Sequence, residues 1–340
     1  MTDFSNELSR TGTEYFLESV VPQEPSDDKV FWPQGEFYFY EEKRVATVTD
    51  VKFFSKNILV VAHRAAAKLY LVEIKGASYT LLDSITLETN DPKRKFFHPD
   101  LISLTKNLIY MSEYTNRCCV VEIIDTKLVL NEVFEIGRKP FHGCFANDQT
   151  VFLGSVVNGV IGQFDPQTRE STLRNTDIKK GRRIKTIGKE GDNLLLGLDH
   201  ISGQTAQPGC RGVSWIILCK LSEDGSDELS SLRFDDSQVD GHANYKNYHF
   251  FTMHDGDKKC GKIVVVKVVD NELTIHKTIV CEGFPHGIDI NYGKLVYTSY
   301  SQSSFTVYRL DDVLDTGLWD FLKRAYLLPL LSWKNYQQNQ

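Results

Sequence analysis

The stretch FPHGIDINYGKLVYTSYSQSSFTVYRL, residues 284–310, holds three short runs rich in β-branched and aromatic residues, at 288–290, 295–300 and 305–310. Alternating runs of this length are the pattern of half-buried strands. Asn291, Tyr292 and Gly293 supply a tight turn between the first two, and Ser301 to Ser304 a polar turn before the third. The stretch reads as an up-and-down meander, with His286 and Gly287 where the chain enters its first strand.

The same unit recurs back to Val45. Its second strands start near Asn57, Asn107, Thr150, Asn193, Asn247 and Lys294, and read ILVVAH, LIYMSE, VFLGS, LLLGLDH, YHFFTMH and LVYTSY. Six units at a period of about 40–50 residues point to a propeller rather than to separate domains. Five units carry a fourth strand; the last has none before Asp311, and the isolated EFYFYE segment at 36–41 can fill that place. Closing the ring in this way removes exposed edge strands. The predicted fold is all-β: a six-bladed β-propeller closed by an N-terminal strand, with a short C-terminal helix in which Leu318, Trp319, Leu322, Ala325 and Tyr326 share one face before Pro329. The chain divides into an N-terminal extension (1–34), the propeller (35–312) and a C-terminal helix and tail (313–340).

With 41% hydrophobic and 25% charged residues the chain can bury a sizeable core. A net charge of −6 argues against general nucleic-acid binding, which needs a basic face. The N-terminus lacks a basic start followed by an apolar run, and no stretch of about 18 apolar residues could span a bilayer. A cytoplasmic protein with no membrane partner is expected, its oligomeric state open. The seven cysteines form no CxxC pair, which suits a reducing compartment and buried thiols. The vicinal pair Cys118 and Cys119 falls in a strand pattern that turns one side chain in and the other out.

In a propeller, the loops leading into the innermost strands and those between second and third strands open on one face. The first set carries Asp50, His98 with Asp100, His142, Lys185, Asp240 with His242, and His286; the second carries His63, Glu113, Asp199 with His200, His254 with Asp255, and Tyr300. Seven of the nine histidines therefore map to one face, where roughly two would fall by chance. A single histidine in such a place is most simply explained by a bond to a strand-end carbonyl. A convergent set of imidazoles and carboxylates is what a divalent metal or an acid/base pair requires. Three of these positions repeat a polar residue followed by glycine, at 142–143, 240–241 and 286–287, as if to aim the side chain at the axis. Ten of the 39 Lys and Arg residues crowd the leading loops, which would focus an anionic substrate.

Residues 285–310 resemble a blade of the serum paraoxonase (arylesterase) family, with HGI at 286–288 and FTVYRL at 305–310. Asp240 and Gly241 are similar to the metal-ligand turn of the gluconolactonase and senescence-marker propellers. The resemblance implies a six-bladed hydrolase of lactones or esters working around an axial divalent cation. His286 matches the paraoxonase histidine, while its partner position is Tyr300 and the asparagine-glycine ligand turn becomes His142-Gly143. Imidazole donors favour zinc, iron or manganese over calcium. The expected metal ligands are His98, His142, Asp240 and His286. His242 and His254 would move protons, Glu113 and Tyr300 complete the catalytic set, and Lys185, His63 and His200 bind a small anionic substrate. Three other readings stay open: a metal-free cyclising, condensing or lyase-type enzyme similar to the strictosidine synthase propellers, with Glu113 and a histidine as acid and base; an iron-dependent oxygenase; and a non-catalytic interaction scaffold.

Overall fold

The computed structural model describes residues 19–20, 35–38, 48–75, 78–156, 159–176, 178, 182–200, 213–222, 225–235, 237–254 and 260–314. These form six antiparallel sheets, the blades of a propeller. Blades 1 to 5 each take four consecutive strands, within 48–86, 102–135, 141–175, 182–235 and 238–282. Blade 6 takes three strands within 285–309 and is completed by Gly35–Tyr38, with Ser19–Val20 beyond it. Gly35 pairs with Val307 and Tyr38 with Ser304, so the N-terminal segment closes the ring as its sequence suggests. The second strands start at Ile58, Leu108, Val151, Asn193, Tyr248 and Lys294, each within one residue of its expected place. A five-residue helix, Leu310–Leu314, follows the last blade; the helix expected over 316–326 lies outside the described residues.

Blades pack face to face, so the inner three strands of each are apolar on both sides. Val60 and Leu71 of blade 1 meet Ile109 and Val121 of blade 2 in one such interface. This corrects the reading of the vicinal cysteines. Cys119 enters that interface, Cys118 packs with Phe141 and Cys144 on the opposite side, and both are fully buried. Alternation does send them to opposite faces, but neither face of an interior strand meets water. Burial pushes the Cys118 thiol up to about 12, which makes it unreactive.

Five of the six innermost strands are bulged at the same height. Thr49, His142, Lys185, the pair Asp240 and Gly241, and the pair His286 and Gly287 fall where the ladder to the second strand shifts register. A bulge turns a side chain away from the alternation of its strand, here toward the axis. Second-strand hydroxyls lock three of these bulges to the neighbouring blade. Ser112 donates to the His142 carbonyl, Thr252 to that of His286 (2.5 Å) and Thr298 to that of Thr49 (3.0 Å). The contact leaves no room for a side chain at the glycines: a Cβ at Gly241 would lie 2.2 Å from the His286 carbonyl oxygen, and one at Gly287 would lie 2.4 Å from Asp50 Cα.

Candidate metal centre at the channel mouth

The bulges carry His142, Lys185, Asp240 and His286 to the axis, where Asp100 joins them from the loop leading into blade 2; each comes from a different blade and each is nearly inaccessible to solvent. The imidazoles are fixed by their outer nitrogens. His142 donates its Nδ1–H to the Lys185 carbonyl (2.7 Å) and His286 to the Thr49 carbonyl (2.8 Å). That choice of tautomer turns both Nε2 lone pairs inward. They face Asp100, with His142 Nε2 3.3 Å from Oδ2 and His286 Nε2 3.7 Å from Oδ1. Among the described residues neither Asp100 oxygen has a hydrogen-bond donor, although both are buried. One ligand atom from each of these three residues lies within 4.8 Å of the others.

The rest of the cluster is internally compensated. Lys185 Nζ donates to Tyr114 Oη (2.7 Å), sits 2.8 Å from Asp240 Oδ1 and reaches His142 Nε2 (2.9 Å). Burial alone would lower the ammonium's pKa; Asp240 more than reverses this and holds it above its ordinary value. Burial likewise opposes the Asp240 carboxylate, but Lys185, then His286 and His254, hold it well below its usual range. His254 Nε2 lies 2.9 Å from Asp240 Oδ2. Burial drives His142 down to about 3 against the pull of Asp100, so it is a neutral imidazole. Lys185 and Asp240 thus cancel, while the nearest formal cation to Asp100 among the described residues outside that pair is Arg64, at 3.8 Å and one-third exposed. An uncompensated carboxylate facing two imidazole lone pairs is a donor set for a transition metal.

The remaining candidates take other places. Tyr300 stacks on His286, with ring centroids 5.5 Å apart. His98 is exposed and bonds the Arg64 carbonyl through Nδ1 (2.9 Å), outside the cluster. Glu113 is buried but engaged: Arg117 Nε and Thr115 Oγ1 donate to Oε1, and the His98 backbone N–H donates to Oε2. His63 is buried in blade 1, where its Nδ1 accepts from the Ala66 N–H (3.1 Å). His200 closes the second strand of blade 4 opposite Arg182. His242 lies beyond its bulge and lines a cavity of about 430 Å³ at the opposite end of the channel. There it stacks on His249, which bonds Glu190 (3.2 Å). Two members of the axial group, Asp100 and Tyr114, stand outside the expected set. Asp100 shares the loop leading into blade 2 with His98 but is not followed by glycine, and which of the two reaches the axis depends on backbone path alone.

No protein-family model matches the chain, and no curated protein matches it. Solved structures share its architecture at low identity. The WD40 repeats of RRP9 align with a TM-score of 0.53 at 9% identity, covering 85% of this chain and 99% of that one. U3-55K aligns at 0.52 and 10%, covering 79% and 97%. The PQQ-bound aldose sugar dehydrogenase of Streptomyces coelicolor aligns at 0.51 and 11%, covering 78% and 97%. At such identities the likeness carries the propeller fold alone.

Proposed function

We propose that the chain is a metal-assisted enzyme in which Asp100, His142 and His286 hold a divalent transition metal at the channel mouth, and that it hydrolyses an ester or lactone of a small anionic molecule. The observation that carries this reading is the convergence of two fixed Nε2 lone pairs on a buried carboxylate that no donor among the described residues satisfies. Three protein ligands leave one position of a tetrahedral shell for water or substrate. A cation there would polarise the acyl carbonyl and acidify bound water. The chain's own groups do the rest. Tyr114, whose Oη accepts from Lys185, keeps its O–H to offer toward developing negative charge, and His254, against Asp240, is placed to carry a proton. In the reaction the water oxygen bonds to the acyl carbon, the acyl carbon–oxygen bond breaks, and the departing oxygen takes the proton. The one-blade resemblance to paraoxonases supports the same class of chemistry.

A metal-free acid/base enzyme is a second reading, favoured by one contact: the Lys185 ammonium already occupies the His142 Nε2 lone pair at 2.9 Å. Metal analysis of the purified protein, with Co²⁺ absorption of wild type, Asp100→Asn and His286→Gln, separates the two. About one equivalent of metal, and Co²⁺ bands lost in both variants, supports the metal centre. Absence of metal together with unchanged spectra on Co²⁺ addition overturns it.

A further inference from the structure

Above the axial cluster the same face opens into a cavity of about 360 Å³ lined by Arg64, His98, Glu113, Tyr114, Thr115 and Tyr300. The volume is in the range of small-molecule sites. Its floor joins it to the candidate centre. The Tyr114 ring meets His142 edge-on at 4.9 Å, and Tyr300 stacks on His286.

Among the described residues two charged side chains line this cavity, and only one has charge to offer. Glu113 is matched by Arg117, Thr115 and a backbone N–H. Arg64 makes no side-chain hydrogen bond among the described residues. Its guanidinium lies over the Tyr114 ring at 4.7 Å, and its nearest acid is Asp100, beyond hydrogen-bond range at 3.8 Å. The His98 bond to the Arg64 carbonyl ties the loop that carries it to blade 2. Arg64 is therefore pre-positioned, partly exposed and unsatisfied. A guanidinium stacked on an aromatic face presents its N–H fork to a planar acceptor, which a carboxylate matches with two parallel bonds. Among the described residues no lysine lines this cavity to serve the further oxygens of a phosphate.

We infer that this cavity recognises a small carboxylate with a flat apolar body, the carboxylate on Arg64 and the body against Tyr114 and Tyr300. The inference rests on the metal-assisted reading only for what happens next: the substrate would be an ester or lactone that keeps a free carboxylate a few bonds from the acyl group. Once a cation holds Asp100, Arg64 loses its competing acid and is released to the ligand.

Ligand-observed ¹⁹F NMR with 4-fluorobenzoate and its neutral isostere 4-fluorobenzamide tests this, on wild type, Arg64→Met and Arg64→Lys, in EDTA and again with Co²⁺. A fragment of this size should bind with a dissociation constant on the order of 1 mM. The benzoate should bind at least tenfold more tightly than the benzamide. Arg64→Met should erase the difference, Arg64→Lys should keep part of it, and Co²⁺ should tighten the wild-type complex several-fold. Equal binding of the two probes, benzoate affinity unchanged in Arg64→Met, or tighter Arg64-dependent binding of 4-fluorophenyl phosphate would overturn the carboxylate assignment. Because binding is read in EDTA as well, loss of Co²⁺ uptake with the benzoate preference intact would reject the metal centre alone.

Discussion

Replacing Asp100 by Asn should change stability in opposite directions with and without metal. In metal-free protein the Asp100 carboxylate is fully buried, its oxygens lack donors among the described residues, and imidazole nitrogens stand at 3.3 and 3.7 Å. Leaving such a group unsatisfied costs about 1–3 kcal/mol, and more when it is charged. Asn keeps the shape, removes the charge and can donate an N–H to one Nε2 lone pair. The pairing with Arg64 that is lost is long and partly exposed, and worth little. In EDTA the variant should therefore melt higher, by roughly 2–6 °C at about 2 °C per kcal/mol for a chain of this length. With zinc at a hundred times its dissociation constant, wild type should gain about 2.7 kcal/mol, roughly 5 °C, and the variant almost nothing. Differential scanning calorimetry with EDTA and with zinc gives all four midpoints. A variant that melts below wild type in EDTA and yet keeps the full zinc shift would refute the reasoning, since Asp100 would then be neither strained nor a ligand.

Other outcomes follow from the inter-blade contacts and the buried ionic groups. Gly241→Ala should lower stability by about 1–3 kcal/mol in urea titrations, because its Cβ would press on the His286 carbonyl oxygen; an unchanged midpoint would mean the blades can separate freely there. Arg117→Met strands the buried Glu113 carboxylate and should cost about 3–5 kcal/mol, with Glu113→Leu added to it restoring much of the loss; a double variant no more stable than the single one would contradict this. His249, lowered by burial to about 4, stays neutral in the fold while the unfolded chain takes up a proton near 6.5. Its contribution is therefore nil above that value and turns unfavourable as pH falls, by up to roughly 3 kcal/mol at pH 4. His242, held well below its ordinary value first by its own burial and then by His249, adds to the same acid loss. Wild-type stability that stays flat between pH 6.5 and 4, or a His249→Gln variant with the same acid slope, would argue against that assignment.

The ring was legible because its two strongest signals are local and repeated. Strand alternation with turn residues gave six second strands to within a residue, and the missing fourth strand in the last unit pointed to the N-terminal segment. The axial site was only half legible. His142, Asp240 and His286 announce themselves by the glycine that follows or by its place on the bulge, and Lys185 by its position. Asp100 carries no such mark, so its exposed neighbour His98 competes with it on composition alone. His242 fails for the reverse reason. Two residues from Asp240 it should share that residue's direction, but the register shift between Val239 and His242 sends it to the far end of the channel. Lys185 reads from its basic neighbours as a binder of an anionic substrate. Its burial against Asp240 and Tyr114 comes from the bulge, which no local pattern reports.

Closure by the N-terminal strand also sets a clock on biosynthesis. Asp100 and His142 are made well before His286 and the strand that receives Gly35–Tyr38. The first-made segment must wait for the last blade before it can pair, and the axial residues cannot meet until that blade has emerged. Loading the proposed centre therefore cannot precede the making of blade 6.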